Sequence, residues 1–244
     1  MSKRCALVTG ASRGIGAAIA RRLAVDGYSI TLSARGEARL AAAAEELGSD
    51  TGADVHAVSA NLAVDGDIRR LASEHSARFG RLDLLVLNAG VGTSGAIADL
   101  PVKIYDLTLS VNLRAAFLLL QETLPMLRKT AALDPSRGAR VIALASIAGV
   151  SAEANMGAYA ASKAGLISLC QTLTAEESRN GVTATTICPG LVDTDMAEWS
   201  QLSTSEMLLP SDVAELAVAV SRLSGNAVVP NIVLARRGSQ TSNV

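Results

Sequence analysis

Tyr159 stands four residues before Lys163 in the run Tyr159-Ala160-Ala161-Ser162-Lys163, and Ser146 lies thirteen residues upstream of the tyrosine. Three ordinary side chains at this spacing can make a proton donor. On a helix, positions i and i+4 share a face. An ammonium beside a phenol favours the phenolate and lowers the tyrosine pKa from its reference of about 10. Moving that value to neutrality, by about three units, requires roughly 4 kcal/mol of differential stabilisation. A tyrosine tuned in this way can give a proton to a carbonyl oxygen or take one from an alcohol. The Ser146 hydroxyl would add a neutral hydrogen bond to the same oxygen. Solvated helix faces also produce Tyr-x-x-x-Lys by chance, so the motif needs a second one beside it.

The N-terminal region supplies it. Cys5-Ala6-Leu7-Val8-Thr9 reads as a short buried strand, followed by Gly10-Ala11-Ser12-Arg13-Gly14-Ile15-Gly16. Ile15, Ile19 and Leu23 then recur at helical spacing, and Gly27 can end that helix. Strand, glycine turn and helix together form a phosphate cradle. Glycines let the backbone turn tightly and approach an anion, and a helix N-terminus offers free N–H groups. The spacing is G-x-x-x-G-x-G, not the commoner dinucleotide G-x-G-x-x-G. A plain loop of small residues is the competing reading.

These motifs need a scaffold, and the chain alternates strand-like and helix-like segments throughout. Strands are expected at 28–33, 54–60, 82–87, 140–145, 182–188 and 231–235, besides the first. Helices are expected after Ser33 to near Gly48, from Asp65 as cap to Gly80, over Val102 to Arg128 with Pro125 near its end, and over Gly157 to Ser178. The apolar run Leu82 to Leu87 suits a buried parallel strand. The pattern predicts an α/β fold: a doubly wound parallel sheet of Rossmann type in three layers, one domain over 1–244. The polar segment 193–209 reads as a long loop bordering the substrate.

Composition narrows the function classes. The 244 residues suffice for one large α/β domain, and 49% are hydrophobic with only 2% aromatic, so Ala, Leu, Val and Ile must do the packing. A formal net charge of −1 without long single-sign blocks gives no electrostatic reason to expect nucleic acid or an anionic membrane surface as partner. Cys5, Cys170 and Cys188 are far apart and read as small hydrophobes in a reducing, cytoplasmic setting. The N-terminus shows no signal-peptide pattern, and no apolar run reaches membrane-span length. His56 and His75 lack partners at metal-ligand spacing and read as structural or surface residues.

Over roughly Arg4 to Met196 the chain resembles the short-chain dehydrogenases/reductases. Thr9-Gly10 through Gly14-Ile15-Gly16 is similar to that family's glycine motif. Asn88-Ala89-Gly90 is similar to its Asn-Ala-Gly motif, which steadies the sheet on the adenosine side. Asn112 in Val111-Asn112-Leu113 matches the catalytic asparagine of the long helix, and Ser146, Tyr159 and Lys163 match the active-site serine, tyrosine and lysine. Pro189-Gly190, with Val192 and Thr194, resembles the turn that holds the nicotinamide end. The resemblance implies hydride transfer between a nicotinamide and a carbonyl carbon, with Tyr159 moving the proton, Ser146 orienting the carbonyl, Lys163 tuning Tyr159 and binding ribose, and Asn112 helping to hold a water beside Lys163. Asn112 also reads as a helix-interior amide bonded to backbone.

The sequence departs from the family pattern in places. Leu87 replaces the first of two asparagines, and Asn61, followed by Leu62, replaces the aspartate that commonly contacts adenine. The C-terminal run Val229 to Arg237 differs from the family's Gly-Gly strand and tail, which weakens the likeness to the β-ketoacyl carrier-protein reductases. Leu32-Ser33-Ala34-Arg35 carries no acid to hold a ribose 2′-hydroxyl, whereas Arg35 and Arg13 can face a 2′-phosphate. The cofactor expected is therefore NADP(H), with Glu37 the one residue against it. The partner expected is a small carbonyl or alcohol. A homo-oligomer, tetramer or dimer, is expected from helices 102–128 and 157–178, whose apolar or small residues occupy more than one face. A non-catalytic nucleotide-binding sensor on the same fold is the alternative, though it would not need Asn112, Ser146, Tyr159 and Lys163 together.

Overall fold

The computed structural model describes residues 3–239. Seven strands form one parallel sheet: β1 (Cys5–Thr9), β2 (Ser29–Ala34), β3 (Val55–Ser59), β4 (Leu84–Leu87), β5 (Ala139–Leu144), β6 (Val182–Pro189) and β7 (Asn231–Leu234). Their spatial order is β3-β2-β1-β4-β5-β6-β7. β1, β4, β5 and β6 are buried along their whole length, as strands covered on both faces must be, and this is why β1, β4 and β5 read as largely apolar runs; β6 carries Thr183, Thr185 and Thr186 among its apolar residues.

The helices are α1 (Gly14–Val25), α2 (Glu37–Thr51), α3 (Asp65–Phe79), α4 (Val102–Leu109), α5 (Ala115–Leu133), α6 (Gly157–Glu177) and α7 (Pro210–Ser221). One face of the sheet packs on α1, α2 and α7 through Ile19, Leu23, Leu40, Val213 and Ala217. The other packs on α3, α5 and α6 through Ile68, Leu71, Leu119, Leu166 and Leu173. Burying each of the larger side chains contributes on the order of 1.5–3 kcal/mol. The expected three-layer, single-domain fold is present. The chain order reverses between β1 and β4, and the crevice at their carboxyl ends is where such sheets place ligands.

The structure corrects several expectations. The helix expected over 102–128 is broken by a π-helical turn, Ser110–Arg114, and then runs to Leu133. Pro125 lies inside α5 on its exposed side, and Leu127, Thr130 and Ala131 are buried beyond it, so packing carries the helix past the lost backbone bond. α2 continues through Gly48 and stops at Gly52, which adopts φ 66°. Asp65 does not cap α3: the preceding residue, Val64, is the cap, Asp67 accepts from the Asn61 backbone N–H at 2.8 Å, and Asp65 pairs with Arg114. The sequence reading has no element between 209 and 231. There α7 begins with Pro210 in its first turn, and Asp212 accepts the Leu209 N–H at 2.9 Å. β7 adds an edge strand on β6 despite the unusual C-terminal sequence.

His75 is fully buried between Thr31 Oγ1 (2.7 Å) and the Arg81 carbonyl (3.0 Å), and burial pushes its pKa down to about 4. It is a structural residue. His56 lies 3.6 Å from Glu74. The three cysteines are buried and free.

Candidate active site

Because all seven strands run the same way, the loops after β1, β4, β5 and β6 leave the sheet at one edge. The turn after β1 is stitched to the end of β4. Thr9 Oγ1 donates to the Val86 carbonyl (3.1 Å) and accepts from the Asn88 and Ala89 backbone N–H groups (3.0 and 3.1 Å). The Asn88 amide donates to the Thr9 and Gly10 carbonyls at 2.9 and 3.1 Å. This contact leaves no room for side chains: a Cβ on Gly16 would lie 2.5 Å from Asn88 Nδ2 and against the Gly10 carbonyl oxygen, and Gly10 itself has φ 64°. Asn88-Ala89-Gly90 therefore braces the glycine turn.

The turn leads into the N-terminus of α1, where no side chain caps the backbone N–H groups of Gly14, Ile15 and Gly16. With Ser12 beside them, these groups suit a diphosphate. From the opposite wall, Thr194 lies over Gly14, whose added Cβ would come within 3.3 Å of it. Gly190 N–H donates to the Leu234 carbonyl (2.8 Å), Pro189 and Val192 are buried, and Val192 bridges to Leu208. This half of the cleft thus sets the uncapped backbone amides of α1 against Thr194 on the opposite wall.

The residues expected at the adenosine end are arranged differently from one another. Arg35 is exposed just beyond β2, and Glu37 opens α2. Arg13 is paired with Asp195 of the loop after β6, so it spans the cleft instead of standing free beside Arg35. Asn61 Oδ1 already accepts from the Ala63 N–H at 3.1 Å, leaving its NH₂ as the open group. Leu62 packs on the core face that holds α3 and α5.

At the other end, Ser146, Tyr159 and Lys163 come together. Ser146 follows β5 and accepts the Ala148 N–H at 3.2 Å. Tyr159 and Lys163 share one face of α6, with the ammonium 5.6 Å from the ring centroid. Burial raises the Tyr159 pKa, and the hydrogen-bonded Ser146 hydroxyl pulls the other way. Lys163 is 4% exposed, and its Nζ donates to the Leu144 carbonyl at 2.7 Å. Burial lowers its pKa to about 8. The expectation that the ammonium depresses the tyrosine is therefore corrected: in this state desolvation dominates both groups, and the ammonium is spent on the Leu144 carbonyl.

Asn112 sits in the π-helical turn and is 2% exposed. Its Oδ1 accepts from the Val91 N–H (2.8 Å), and its Nδ2 donates to the Val91 carbonyl (3.0 Å) and Ser162 Oγ (3.0 Å). Ser162 in turn donates to the Tyr159 carbonyl at 2.7 Å. Asn112 thus ties the loop after β4 to the helix carrying Tyr159 and Lys163. Gly90 lies between: a Cβ there would be 3.2 Å from Asn112 Oδ1 and 3.5 Å from Lys163 Nζ. Gly149 allows the turn after Ser146 to rest on α6, since its Cβ would lie 2.8 Å from the Lys163 carbonyl carbon. The packing roles of Ser162 and Gly149 are not legible in the sequence. Ser162 lies within the Tyr-x-x-x-Lys run, but its role depends on the π turn opposite.

No group of acidic, histidine or cysteine side chains suited to a metal ion occurs among the described residues. None of their helices is long and apolar enough to cross a membrane.

Residues 4–203 match the family model for short chain dehydrogenases. The chain is 36% identical over 218 residues to an uncharacterized oxidoreductase of Staphylococcus epidermidis, covering 89% of this chain and 90% of that protein. It is 33% identical over 196 residues to a 3-oxoacyl-[acyl-carrier-protein] reductase of Staphylococcus aureus, covering 80% and 77%. Among solved structures it is similar to a short chain dehydrogenase from Burkholderia cenocepacia in complex with NADP, with a TM-score of 0.85, 32% identity and 96% of each chain covered. With its sheet order, glycine turn and Ser146–Tyr159–Lys163 constellation, the chain belongs to the short-chain dehydrogenases, a family of nicotinamide-dependent oxidoreductases.

Proposed function

We propose that this protein is an NADP(H)-dependent oxidoreductase that interconverts a ketone or aldehyde and the corresponding alcohol. The observation that carries this reading is the buried Lys163 ammonium, which has no carboxylate partner among the described residues and lies beside Tyr159 at the end of an amide-lined cleft. A buried cation without an acid is costly for stability, and such groups mark functional sites.

The nicotinamide, when bound, donates or accepts the hydride. The protein's part is to hold the carbonyl and manage one proton. The Ser146 and Tyr159 hydroxyls would both bond the substrate oxygen, and Tyr159 would pass its proton to that oxygen as charge develops. Lys163 Nζ would turn from the Leu144 carbonyl to hold the nicotinamide ribose. The ammonium would then lower the Tyr159 pKa through charge and through the shared hydrogen-bond network. Asn112 and Ser162 hold α6 in register with the loop after β4. In the alcohol-to-carbonyl direction Tyr159 would take the proton.

At the cofactor's far end, the absence of an acid at 32–35 and the exposed Arg35 support a 2′-phosphate, as does the NADP complex of the Burkholderia relative. Exposed Tyr105, Leu107 and Phe117 on α4 and α5, with small exposed residues on α6, support a homodimer or homotetramer. The test of the function is a panel of carbonyl compounds with NADPH, followed by loss of reduced-cofactor absorbance. Turnover of at least one carbonyl supports the reading; NADPH binding without turnover of any would favour a sensor.

A further inference from the structure

We infer that the amino-terminal edge of the sheet carries a buried site for a small monovalent anion, of the size of chloride, seated against Arg140. The site is separate from the dinucleotide cleft and does not depend on which reaction the protein performs.

Arg140, the second residue of β5, is 4% exposed. Its guanidinium ties the connection between α7 and β7 to the sheet. Nη1 donates to Thr183 Oγ1 and to the Ala227 carbonyl, both at 3.1 Å. Nη2 donates to the Leu223 and Ser224 carbonyls at 3.1 and 2.6 Å. All of these acceptors are neutral. Nε is buried and meets no protein acceptor among the described residues, and no carboxylate among them pairs with the guanidinium. Burial pushes its pKa below the ordinary arginine value. A buried N–H calls for an acceptor, and a buried cation calls for a counter-charge.

Arg140 lines a cavity with Arg4, Tyr28, Asp83, Gly138 and Ser221, with room for a single particle of about the size of water. Arg4 precedes β1, Tyr28 precedes β2, Asp83 precedes β4 and Gly138 precedes β5. In a parallel sheet this places the cavity at the edge opposite the catalytic loops, which leave the carboxyl ends of the strands.

The walls decide what fits there. Arg140 Nε, the Arg4 guanidinium and the Tyr28 hydroxyl are donors; the Tyr28 oxygen accepts from Arg4 Nη1 at 3.0 Å, which leaves its O–H to donate. Ser221 donates to the Val218 carbonyl at 2.8 Å. Asp83, the carboxylate in the wall, is committed elsewhere. It accepts from Arg81 Nε at 2.9 Å, from Arg81 Nη2 at 2.5 Å and from the Cys5 N–H at 2.7 Å. Around the cavity, Asp26 is paired with Arg222 (2.6 Å) and Arg4 (3.4 Å). Asp134, whose charge acts on Arg81, accepts from Ser136 Oγ at 2.6 Å, and Glu215, near Arg222, is paired with Arg22. Arg4, Arg22, Arg81, Arg140 and Arg222 outnumber these carboxylates, so the surround is net positive. A water would give Nε an acceptor but no charge. A monovalent anion gives both, and a phosphate exceeds the space. The anion completes the bonding of Arg140 and so holds residues 223–227, and with them α7 and β7, to the sheet.

Two measurements test this. In the first, thermal unfolding of the full chain is followed as sodium chloride replaces sodium gluconate at a constant ionic strength of about 0.2 M. The midpoint should rise saturably, by about 4 °C for an ion bound with an affinity of about 10 mM. Arg140→Met should abolish the rise. Tyr28→Phe and Arg4→Gln leave the Arg140 bonds to residues 223–227 in place, and each should raise the half-saturating chloride concentration about threefold. These two variants carry the test if Arg140→Met does not fold. In the second, anomalous scattering from a crystal soaked in sodium bromide should place a bromide within hydrogen-bond reach of Arg140 Nε and the Tyr28 hydroxyl. Equal midpoints in chloride and gluconate would overturn the inference and make any bromide found there an adventitious ion only. A chloride effect that does not saturate, or that is unchanged in both Tyr28→Phe and Arg4→Gln, would overturn it as well. So would a cavity that takes up no bromide, which would leave water as the acceptor for Nε.

Discussion

The Arg13 guanidinium, at the cap of α1, is paired with the carboxylate of Asp195 in the loop after β6. The pair joins the two walls of the cofactor cleft over the glycine turn. It also takes Arg13 out of simple competition for a 2′-phosphate, which leaves Arg35 as the open guanidinium at that end.

Arg35 should therefore carry the cofactor preference. A charge-assisted bond to phosphate is worth roughly 1.5–3 kcal/mol, or about ten- to a hundredfold. Arg35→Ala should lower kcat/KM for NADPH by that factor and barely change it for NADH. Arg13→Ala should lower both to a similar degree, because its partner belongs to the protein. A wild type that prefers NADH would assign the choice to Glu37 or to backbone contacts.

Asn112 makes three hydrogen bonds in a buried π-helical turn. Such turns recur at functional sites, and here the extra residue in the turn directs the amide toward Val91 and Ser162. Asn112→Leu keeps the volume and leaves the Val91 backbone groups unsatisfied. Thermal unfolding should show a loss of about 2–4 kcal/mol. Asn112→Asp retains the acceptor and should lose less stability, while still depressing kcat.

His75 adds a pH dependence that has nothing to do with catalysis. Its folded pKa of about 4 lies below the unfolded value of 6.5. The folded state thus binds fewer protons between these values. The stabilisation is complete above pH 6.5 and is lost as pH falls toward 4, by about 3 kcal/mol in all. Urea unfolding across this range should show the slope, and His75→Gln should flatten it. An unchanged slope in the variant would place the acid sensitivity in other groups.

How far the sequence disclosed this molecule follows from which interactions are local. β1, the glycine turn and α1 were readable because strand burial, turn geometry and helix periodicity are written in adjacent residues. Tyr159 and Lys163 were readable because a helix fixes the i, i+4 relation. The break at 110–114 was not, since a π turn has no strong propensity signal and exists because Asn112 satisfies Val91 and Ser162 across space. The Arg13–Asp195 pair was equally hidden, joining residues 182 positions apart. α7 did carry local signals, Pro210 followed by Asp212 and the spacing of Val213, Ala217 and Val220, but they follow a polar loop that masks the onset. The tyrosine's environment is not legible in the sequence, because the spacing shows that Lys163 is near, not that its Nζ donates to the Leu144 carbonyl.

The Tyr159 hydroxyl is the group proposed to move the proton. Its most direct test is kcat for Tyr159→Phe with any carbonyl compound the wild type reduces, measured alongside NADPH affinity by fluorescence titration. Phe keeps the ring on α6 and removes only the hydroxyl. kcat should fall about a thousandfold, with NADPH affinity within about threefold of wild type. Turnover within tenfold of wild type at unchanged affinity would contradict it and place the proton on another group.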